Sequence, residues 1–312
     1  MALRATKRQL GCMTDAKSIA FLGMGVMGAP MAGHLACAGH RVTIYNRTLS
    51  RAHDWMARHG EEGLAVSMAE TPAEAASGKE VVITCVGNDH DLAEVVLGDA
   101  GVLSVMTAGS LFIDHTTVSP AIARSIAQDA AKHGILALDA PISGGQAGAE
   151  NGKLSVMCGG SEEAMAAARP VIEAYGSRIT HIGAAGCGQA AKAVNQICIA
   201  GTLAGLSEGV RFAQATGLDM DKVLQAISGG AAQSWQMENR WATMAAGEFD
   251  FGFAIDWMRK DLGIALGEAK ENGVPLPVTA LVDQFYAMVQ AMGGNRQDTS
   301  ALIRHLPEGS GK

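Results

Sequence analysis

A glycine turn between an apolar run and a helical segment constrains the fold of this chain more than any other feature. Residues 23–28 read GMGVMG, which matches the pattern G-x-G-x-x-G. The apolar run Ile19–Leu22 precedes this turn, the helical stretch Met27–Ala38 follows it, and the strand-like residues Arg41–Tyr45 come next. A strand, a glycine turn, a helix and a second strand in this order predict the unit that binds the pyrophosphate of a dinucleotide.

The turn positions have distinct physical roles in this interpretation. Gly23 permits the tight turn, Gly25 lets the backbone approach the pyrophosphate, and Gly28 lets the helix pack closely on the strand. The helix N-terminus adds free N–H groups and the positive end of its dipole. The predicted cofactor contacts in the turn are Gly23, Met24, Gly25, Val26, Met27 and Gly28.

The residues after the second strand bear on which dinucleotide binds. They read Asn46-Arg47-Thr48. No carboxylate stands there to repel a 2′-phosphate, and Arg47 offers a guanidinium that pairs well with one. We therefore expect NADP to be favoured, with Asn46, Arg47 and Thr48 as contacts. The alternative is NAD held through Asn46, with Arg47 solvated at the surface.

Short apolar runs alternate with helical stretches from Lys17 to about Thr180, and no convincing strand follows Gly183. The predicted strands are Ser18–Leu22, Arg41–Tyr45, Val81–Val86, Leu111–Asp114, Leu136–Ala140, Leu154–Cys158 and Arg178–His181. This pattern predicts an α/β fold: an N-terminal Rossmann-like, doubly wound sheet, followed by an all-α C-terminal domain joined through a long spine helix. The predicted divisions are a flexible extension over 1–16, a dinucleotide-binding Rossmann domain over 17–181, and an all-helical domain for substrate binding and oligomerisation over 182–312.

Composition and charge argue against several classes of function. The 312 residues carry a formal net charge of −7 with no basic cluster, so a nucleic-acid partner is not expected. No run of about 18 apolar residues occurs, so no membrane span is predicted. The six cysteines include no C-x-x-C pair. They favour a reduced, cytoplasmic setting, and no metal site is predicted.

Two loops carry candidate chemistry, and each has a plain structural alternative. DHTTVSP, residues 114–120, follows a predicted strand, but Ser119 and Pro120 are also what a simple helix start requires. In DAPISGGQ, residues 139–146, successive backbone N–H groups at Ser143-Gly144-Gly145 suit a carboxylate, although the same residues also suit an ordinary glycine-rich loop.

A third stretch, GCGQAAKAVNQ over residues 186–196, places a lysine at the start of the spine helix. Lys192 and Asn195 are three residues apart and share a helical face, so both side chains can reach one small molecule. A lysine desolvated among alanines has a lowered pKa and suits acid–base chemistry near neutrality. The alternative is a lysine whose ammonium group extends to solvent.

Taken together, these motifs resemble the β-hydroxyacid dehydrogenase family, the group of 3-hydroxyisobutyrate dehydrogenases and tartronate semialdehyde (2-hydroxy-3-oxopropionate) reductases. The resemblance runs from about Lys17 to Leu306. It rests on five ordered stretches: GMGVMGAPMAGHLACAGH, DHTTVSP, DAPISGGQAGAENGKLSVMCGG, GCGQAAKAVNQ and WMRKDLGIAL.

The resemblance implies catalytic and substrate-binding roles for matching residues. Lys192 is the expected general acid/base, and the Ser143-Gly144-Gly145 loop is expected to bind the substrate carboxylate. The family's asparagine lies three or four residues after the lysine. Asn195 is favoured for that role here, and Gln196 takes the next position.

The resemblance also implies contacts near the nicotinamide. Thr117 is expected to contact both cofactor and substrate, Val86 to contact the cofactor, and Lys260 to close over the site from the helical domain. His115 stands where the family usually has a small polar residue, which leaves open a differently shaped pocket.

The implied activity is that of an NAD(P)-dependent oxidoreductase that interconverts a small β-hydroxy acid and its semialdehyde or keto acid. Two alternatives stay open at this point: an NADPH-dependent reductase of tartronate semialdehyde, succinic semialdehyde or glyoxylate, and a non-catalytic dinucleotide-binding module. The expected partners are a small carboxylic acid and further copies of this chain, as a dimer or tetramer.

Overall fold

The computed structural model describes residues 16–307, so the predicted extension over 1–16 lies outside the described residues except for Ala16. The strands are β1 (Ser18–Leu22), β2 (Arg41–Tyr45), β3 (Val66–Met68), β4 (Val81–Thr84), β5 (Leu111–Asp114), β6 (Leu136–Asp139), β7 (Ile142–Ser143), β8 (Leu154–Gly160) and β9 (Gly176–Gly183). The helices before residue 184 are α1 (Gly28–Cys37), α2 (Leu49–Gly60), α3 (Pro72–Ala76), α4 (Asp89–Leu97), α5 (Pro120–Lys132), α6 (Gly145–Glu150) and α7 (Glu162–Ile172). Those after it are α8 (Cys187–Ala215), α9 (Met220–Ile227), α10 (Trp235–Ala246), α11 (Ile255–Glu271) and α12 (Pro277–Ala291).

All nine strands belong to one sheet, with the order β3-β2-β1-β4-β5-β6-β8-β7 and β9 paired to β8. The six strands from β3 to β6 in this order run parallel, whereas β8 runs antiparallel to β6 and β7. The strand order reverses at β1, because the chain passes from β1 to β2 on one side and later to β4 on the other. Such a reversal leaves a crevice at the carboxyl edge of the sheet where ligands bind.

The sheet is covered by helices on both faces, which confirms the predicted fold class. Along β1, Ile19 and Phe21 belong to the apolar core on the side of α1, α2, α6 and α7, while Ala20 and Leu22 belong to the core on the side of α3, α4 and α5. Alternate residues of a strand point to opposite faces, so a strand buried on both sides is apolar throughout.

The C-terminal part of the described chain is built on the 29-residue helix α8. Its apolar side packs with α10, α11 and α12 in a second core. Residues 184–307 contain no strand, only an isolated bridge between Ala254 and Asp298. Over residues 16–307, no helix has the length and apolar character to cross a membrane.

The start of α8 is anchored to the sheet by a buried carboxylate at the end of β6. Asp139 accepts hydrogen bonds from the backbone N–H groups of Gly186 at 2.7 Å and Gln189 at 3.0 Å. These are N–H groups that the first turn of a helix leaves without partners. The anchor sets the first turns of α8 against the carboxyl edge of the sheet.

Candidate active site

The glycine turn after β1 is held by the end of β2. The N–H of Gly23 donates to the carbonyl of Tyr45 at 2.9 Å, and the N–H of Met24 donates to Oδ1 of Asn46, also at 2.9 Å. The Nδ2 group of Asn46 donates in turn to the carbonyl of Thr48 at 2.8 Å. Asn46 therefore supports the turn, with both ends of its amide bonded to the chain itself.

The turn has room for a ligand at one glycine and none at another. Gly23 has a φ of +105°, and a methyl group there would overlap the carbonyl of Cys85 and lie 3.4 Å from Val86. A methyl group on Gly25 would meet no atom within 4 Å. The packing of the described chain therefore does not require a glycine at position 25, whereas a backbone that must approach a pyrophosphate does. The residues of the turn fit a dinucleotide.

We expect Gly25→Ala to weaken NADPH binding at least about tenfold, or about 1.4 kcal/mol, because the added methyl group fills the space that the pyrophosphate needs. The melting temperature without cofactor should stay unchanged, since no atom lies near the new methyl group. Titration calorimetry measures the affinity. Gly201→Ala, at an equally open position on α8, is the matched control. Unchanged NADPH affinity in Gly25→Ala would contradict this assignment.

The loop after β5 connects the sheet to the helical domain. Gln189 of α8 accepts a hydrogen bond from the N–H of Val118 at 3.1 Å and donates to the carbonyl of Thr116 at 2.7 Å. From α11, Nζ of Lys260 donates to the carbonyl of Thr117. Val86 also belongs to this junction, because its N–H donates to Oγ1 of Thr116 at 3.0 Å. The structure thus places Val86 and Lys260 against the same loop, the one that carries Thr117.

Lys192 lies in the second turn of α8 and is buried, with only 7% of its surface exposed. Burial lowers its pKa below the ordinary value of 10.5, and the nearby Lys260 lowers it further. The carboxylate of Asp261 acts in the opposite direction and raises it. Because desolvation is the largest of these effects, the net pKa is lowered, which is what an acid–base group near neutrality requires.

Asp261 and Gln196 lie near the lysine; the sequence interpretation did not name Asp261, and it weighed Gln196 only as the position after the favoured Asn195. Nε2 of Gln196 donates to Oδ2 of Asp261 at 2.6 Å, and Nζ of Lys260 lies 3.2 Å from Oδ1. Burial raises the pKa of Asp261, while Lys260 and Lys192 oppose that rise. Asn195 is half-buried and donates through Nδ2 to Oε1 of Gln196 at 2.8 Å. A hydrogen-bonded chain therefore runs from Asn195 through Gln196 to Asp261.

The predicted carboxylate-binding loop lies at the end of the short strand β7. Ser143 pairs with Ser155 of β8 and is half-buried, whereas Gly144 and Gly145 are exposed. Helix α6 begins at Gly145, so its first N–H groups have no partners within the helix. The loop thus presents backbone donors at its exposed end.

Comparison with known proteins adds the family. The family model described as the NAD binding domain of 6-phosphogluconate dehydrogenase matches residues 18–183. A second model, described as the NAD-binding of NADP-dependent 3-hydroxyisobutyrate dehydrogenase, matches residues 186–306. The chain belongs to the β-hydroxyacid dehydrogenase family.

Similar proteins match nearly the whole chain. An uncharacterized oxidoreductase of Shewanella frigidimarina is 57% identical over 288 residues, which is 92% of this chain and 97% of that protein. A probable 3-hydroxyisobutyrate dehydrogenase-like 1, mitochondrial, of Arabidopsis thaliana is 39% identical over 92% of this chain and 84% of its own. The structure of Mycobacterium tuberculosis 3-hydroxyisobutyrate dehydrogenase with L-serine has 33% identity and a TM-score of 0.83, covering 93% of this chain and 98% of that one.

These relatives make the chain an oxidoreductase acting on CH–OH groups, an NAD(P)-dependent hydroxyacid dehydrogenase of the 3-hydroxyisobutyrate dehydrogenase family. The family resemblance read from the sequence is confirmed.

Two residues singled out in the sequence of this β-hydroxyacid dehydrogenase, His115 and Arg47, have partners within the chain. His115 lies in the core, where Nδ1 bonds the carbonyl of Ala140 at 2.6 Å and Nε2 bonds the hydroxyl of Tyr175 at 2.7 Å. Burial lowers the pKa of His115 to about 4, so the ring is neutral near pH 7. Its two hydrogen bonds tie the loop after β5 to Ala140 and Tyr175. The side chain of Arg47 is exposed, and its guanidinium pairs with the carboxylate of Asp91.

Proposed function

We propose that this chain interconverts a small β-hydroxy acid and its semialdehyde or keto acid, with Lys192 as the general acid/base. The proposal is carried by Lys192, a buried lysine with a lowered pKa at the junction between the two parts of the chain. The carboxyl edge of the sheet and the helices around Lys260 flank this lysine, which is where dinucleotide-binding folds place their substrates.

In the oxidative direction, Nζ of Lys192 accepts the proton of the substrate hydroxyl. When bound, the nicotinamide exchanges a hydride with the carbon that carries this hydroxyl. In the reductive direction, the lysine ammonium group donates the proton to the carbonyl oxygen and stabilises the negative charge that develops there. The amide of Asn195 holds the substrate hydroxyl toward Lys192, and Gln196 fixes that amide.

The substrate carboxylate is held by Ser143, Gly144 and Gly145. Backbone N–H groups at the exposed end of this loop suit a carboxylate, because they add no side chain that would compete for the pocket. Thr117 contacts both the substrate and the nicotinamide end of the cofactor. A small, polar, anionic substrate fits these donors.

NADP is the proposed preferred cofactor, with NAD as a weaker alternative. Arg47 stands two residues beyond the end of β2 and has the charge and the planar geometry to pair with the 2′-phosphate. The glycine turn, Thr48 and Lys260 are the other proposed contacts of this group.

A homo-oligomer, dimer or tetramer, is also proposed. Helix α12 exposes three apolar residues on one side, Val278, Leu281 and Met288, and exposed Met292 follows just beyond its end. An exposed apolar surface of this kind is more typical of an interface than of a monomer surface. Light scattering on the purified chain measures the state directly.

A substrate panel tests the proposed activity. Purified protein is assayed with NADPH or NADP and, separately, NADH or NAD, against 3-hydroxyisobutyrate, L-serine, tartronate semialdehyde, succinic semialdehyde and glyoxylate. L-serine is included because it accompanies the related structure. Turnover of at least one of these acids is expected. Cofactor binding without turnover of any would favour a non-catalytic dinucleotide-binding module.

A further inference from the structure

An ion pair links the segment after β2 to the helix that follows β4, next to the glycine turn. The guanidinium of Arg47 lies beyond the end of β2, and its NH1 group donates to Oδ1 of Asp91 at 2.8 Å. Asp91 belongs to the first turn of α4, the helix that follows β4. In the sheet, β2 and β4 are the two neighbours of β1. The pair therefore spans the carboxyl end of β1, where the glycine turn begins.

Asp91 is the more buried partner of this pair. Its side chain is 19% exposed, against 75% for Arg47. Its second oxygen, Oδ2, lies 3.4 Å from Nδ2 of Asn88, and its backbone N–H donates to Oδ1 of Asn88 at 2.9 Å. The carboxylate is thus held at the start of α4, and it pairs there with the more exposed arginine side chain.

We propose that Asp91 is a determinant of cofactor specificity that opposes NADP, because it occupies the guanidinium that the 2′-phosphate needs. This inference rests on the proposed assignment of Arg47 to the 2′-phosphate. It adds a competing carboxylate that comes from α4 and not from the end of β2, where such a carboxylate is ordinarily sought.

The effect differs between the two dinucleotides for an electrostatic reason. To pair with Arg47, the 2′-phosphate of NADP must displace the Asp91 carboxylate or share the guanidinium with it, and both groups are negative. NAD carries a neutral hydroxyl at the same position and needs no displacement. Asp91 consequently lowers the preference for NADP over NAD, and it does so without contacting the reacting end of the cofactor.

The test is a double-mutant cycle on cofactor affinity, measured by titration calorimetry with NADPH and with NADH in the absence of substrate. Asp91→Asn should tighten NADPH binding about three- to fivefold, the range expected for an exposed ion pair, and leave NADH within about twofold. Arg47→Ala should weaken NADPH. In the Arg47→Ala background, Asp91→Asn should have no further effect on the NADPH-to-NADH ratio.

Glu94→Gln is the matched control, since it removes the same charge from the next turn of α4, beside Asp91 but without a hydrogen bond to Arg47. Asp91→Ala is a second variant whose NADPH affinity should shift in the same direction, and thermal melts confirm that each variant folds. The inference is overturned if Asp91→Asn leaves the ratio unchanged, if Glu94→Gln changes it equally, or if the effect persists without Arg47.

The arms of the cycle separate this inference from the proposed function. If Arg47→Ala weakens NADPH binding but Asp91→Asn leaves the NADPH-to-NADH affinity ratio unchanged, the proposed role of Asp91 fails and the assignment of Arg47 to the 2′-phosphate stands. If Arg47→Ala leaves NADPH affinity unchanged, both the assignment and the inference fail. Neither result depends on turnover of a hydroxy acid, so the proposed reaction is tested separately by the substrate panel.

Discussion

Lys192→Ala is expected to lower turnover of the hydroxy-acid substrate at least about a hundredfold, because it removes the group that accepts and donates the hydroxyl proton. NADPH affinity should stay within about twofold, since the glycine turn and Arg47 lie elsewhere on the sheet edge. Steady-state kinetics in both directions and calorimetric titration with NADPH measure the two quantities.

Lys270→Ala is the matched control for this substitution. Lys270 lies in the last turn of α11 and is exposed, so removing it deletes the same charge and side-chain length outside the cleft. The control should keep wild-type turnover. If Lys192→Ala retained more than about a tenth of wild-type turnover, the proton transfer would have to be assigned to another group.

A buried carboxyl group at the end of β5, that of Asp114, should make a contribution to stability that is lost as the pH rises from about 4 to about 7, whereas buried His115 contributes in the opposite direction. Burial raises the pKa of Asp114 from its ordinary value of 3.8 to about 7. Oδ1 accepts hydrogen bonds from the hydroxyl of Thr84 at 2.7 Å and the N–H of Thr116 at 2.9 Å. Oδ2 is buried and has no hydrogen-bond partner among residues 16–307, which suits a protonated oxygen.

The sign of the effect follows from proton counting. Between the two pKa values, the unfolded chain has lost this proton while the folded chain keeps it, so raising the pH favours unfolding. The cost reaches about 4 kcal/mol at most above pH 7, from about three pKa units at 1.36 kcal/mol each. Below pH 4 both states are protonated and the effect vanishes.

Asp114→Asn should remove this pH dependence. The amide oxygen can keep the hydrogen bonds to Thr84 and Thr116, and the neutral NH2 group takes the place of the protonated oxygen. Urea unfolding at pH 5 and pH 8 should show a variant that gains stability relative to wild type at the higher pH. Asp99→Asn, at an exposed carboxyl group, should leave the wild-type slope. A slope unchanged by Asp114→Asn would contradict the raised pKa.

Local sequence patterns were sufficient to predict the fold class and the elements that are specified by residues close together in the sequence. The glycine turn and the 29-residue α8 are each specified by neighbours in sequence, and both occur where predicted. The strands β3 and β7 were missed because they have only three and two residues, too few for an alternating pattern. Their pairing depends on strands elsewhere in the sheet.

The sequence did not predict the hydrogen-bonded pairs whose two members are far apart along the chain. Asp261 lies 65 residues from Gln196, and Asp91 lies 44 residues from Arg47. Helical spacing placed Asn195 on the same face as Lys192 but did not reveal that Gln196, one residue on, is the buried side chain bonded to Asp261. Only the packing of α8 on α11 brings Gln196 and Asp261 together.

The pH dependence of kcat/KM for oxidation of the hydroxy acid tests the role of Lys192 most directly. We expect the rate to rise with pH as Lys192 loses its proton, with a pKa below the ordinary 10.5 of lysine. Asp261→Asn should move this limb to lower pH, because the Asp261 carboxylate raises the pKa of Lys192. Glu271→Gln, an exposed change on the same helix, should leave it in place. A limb that stayed fixed or moved to higher pH in Asp261→Asn would contradict the assignment of Lys192 as the acid–base group.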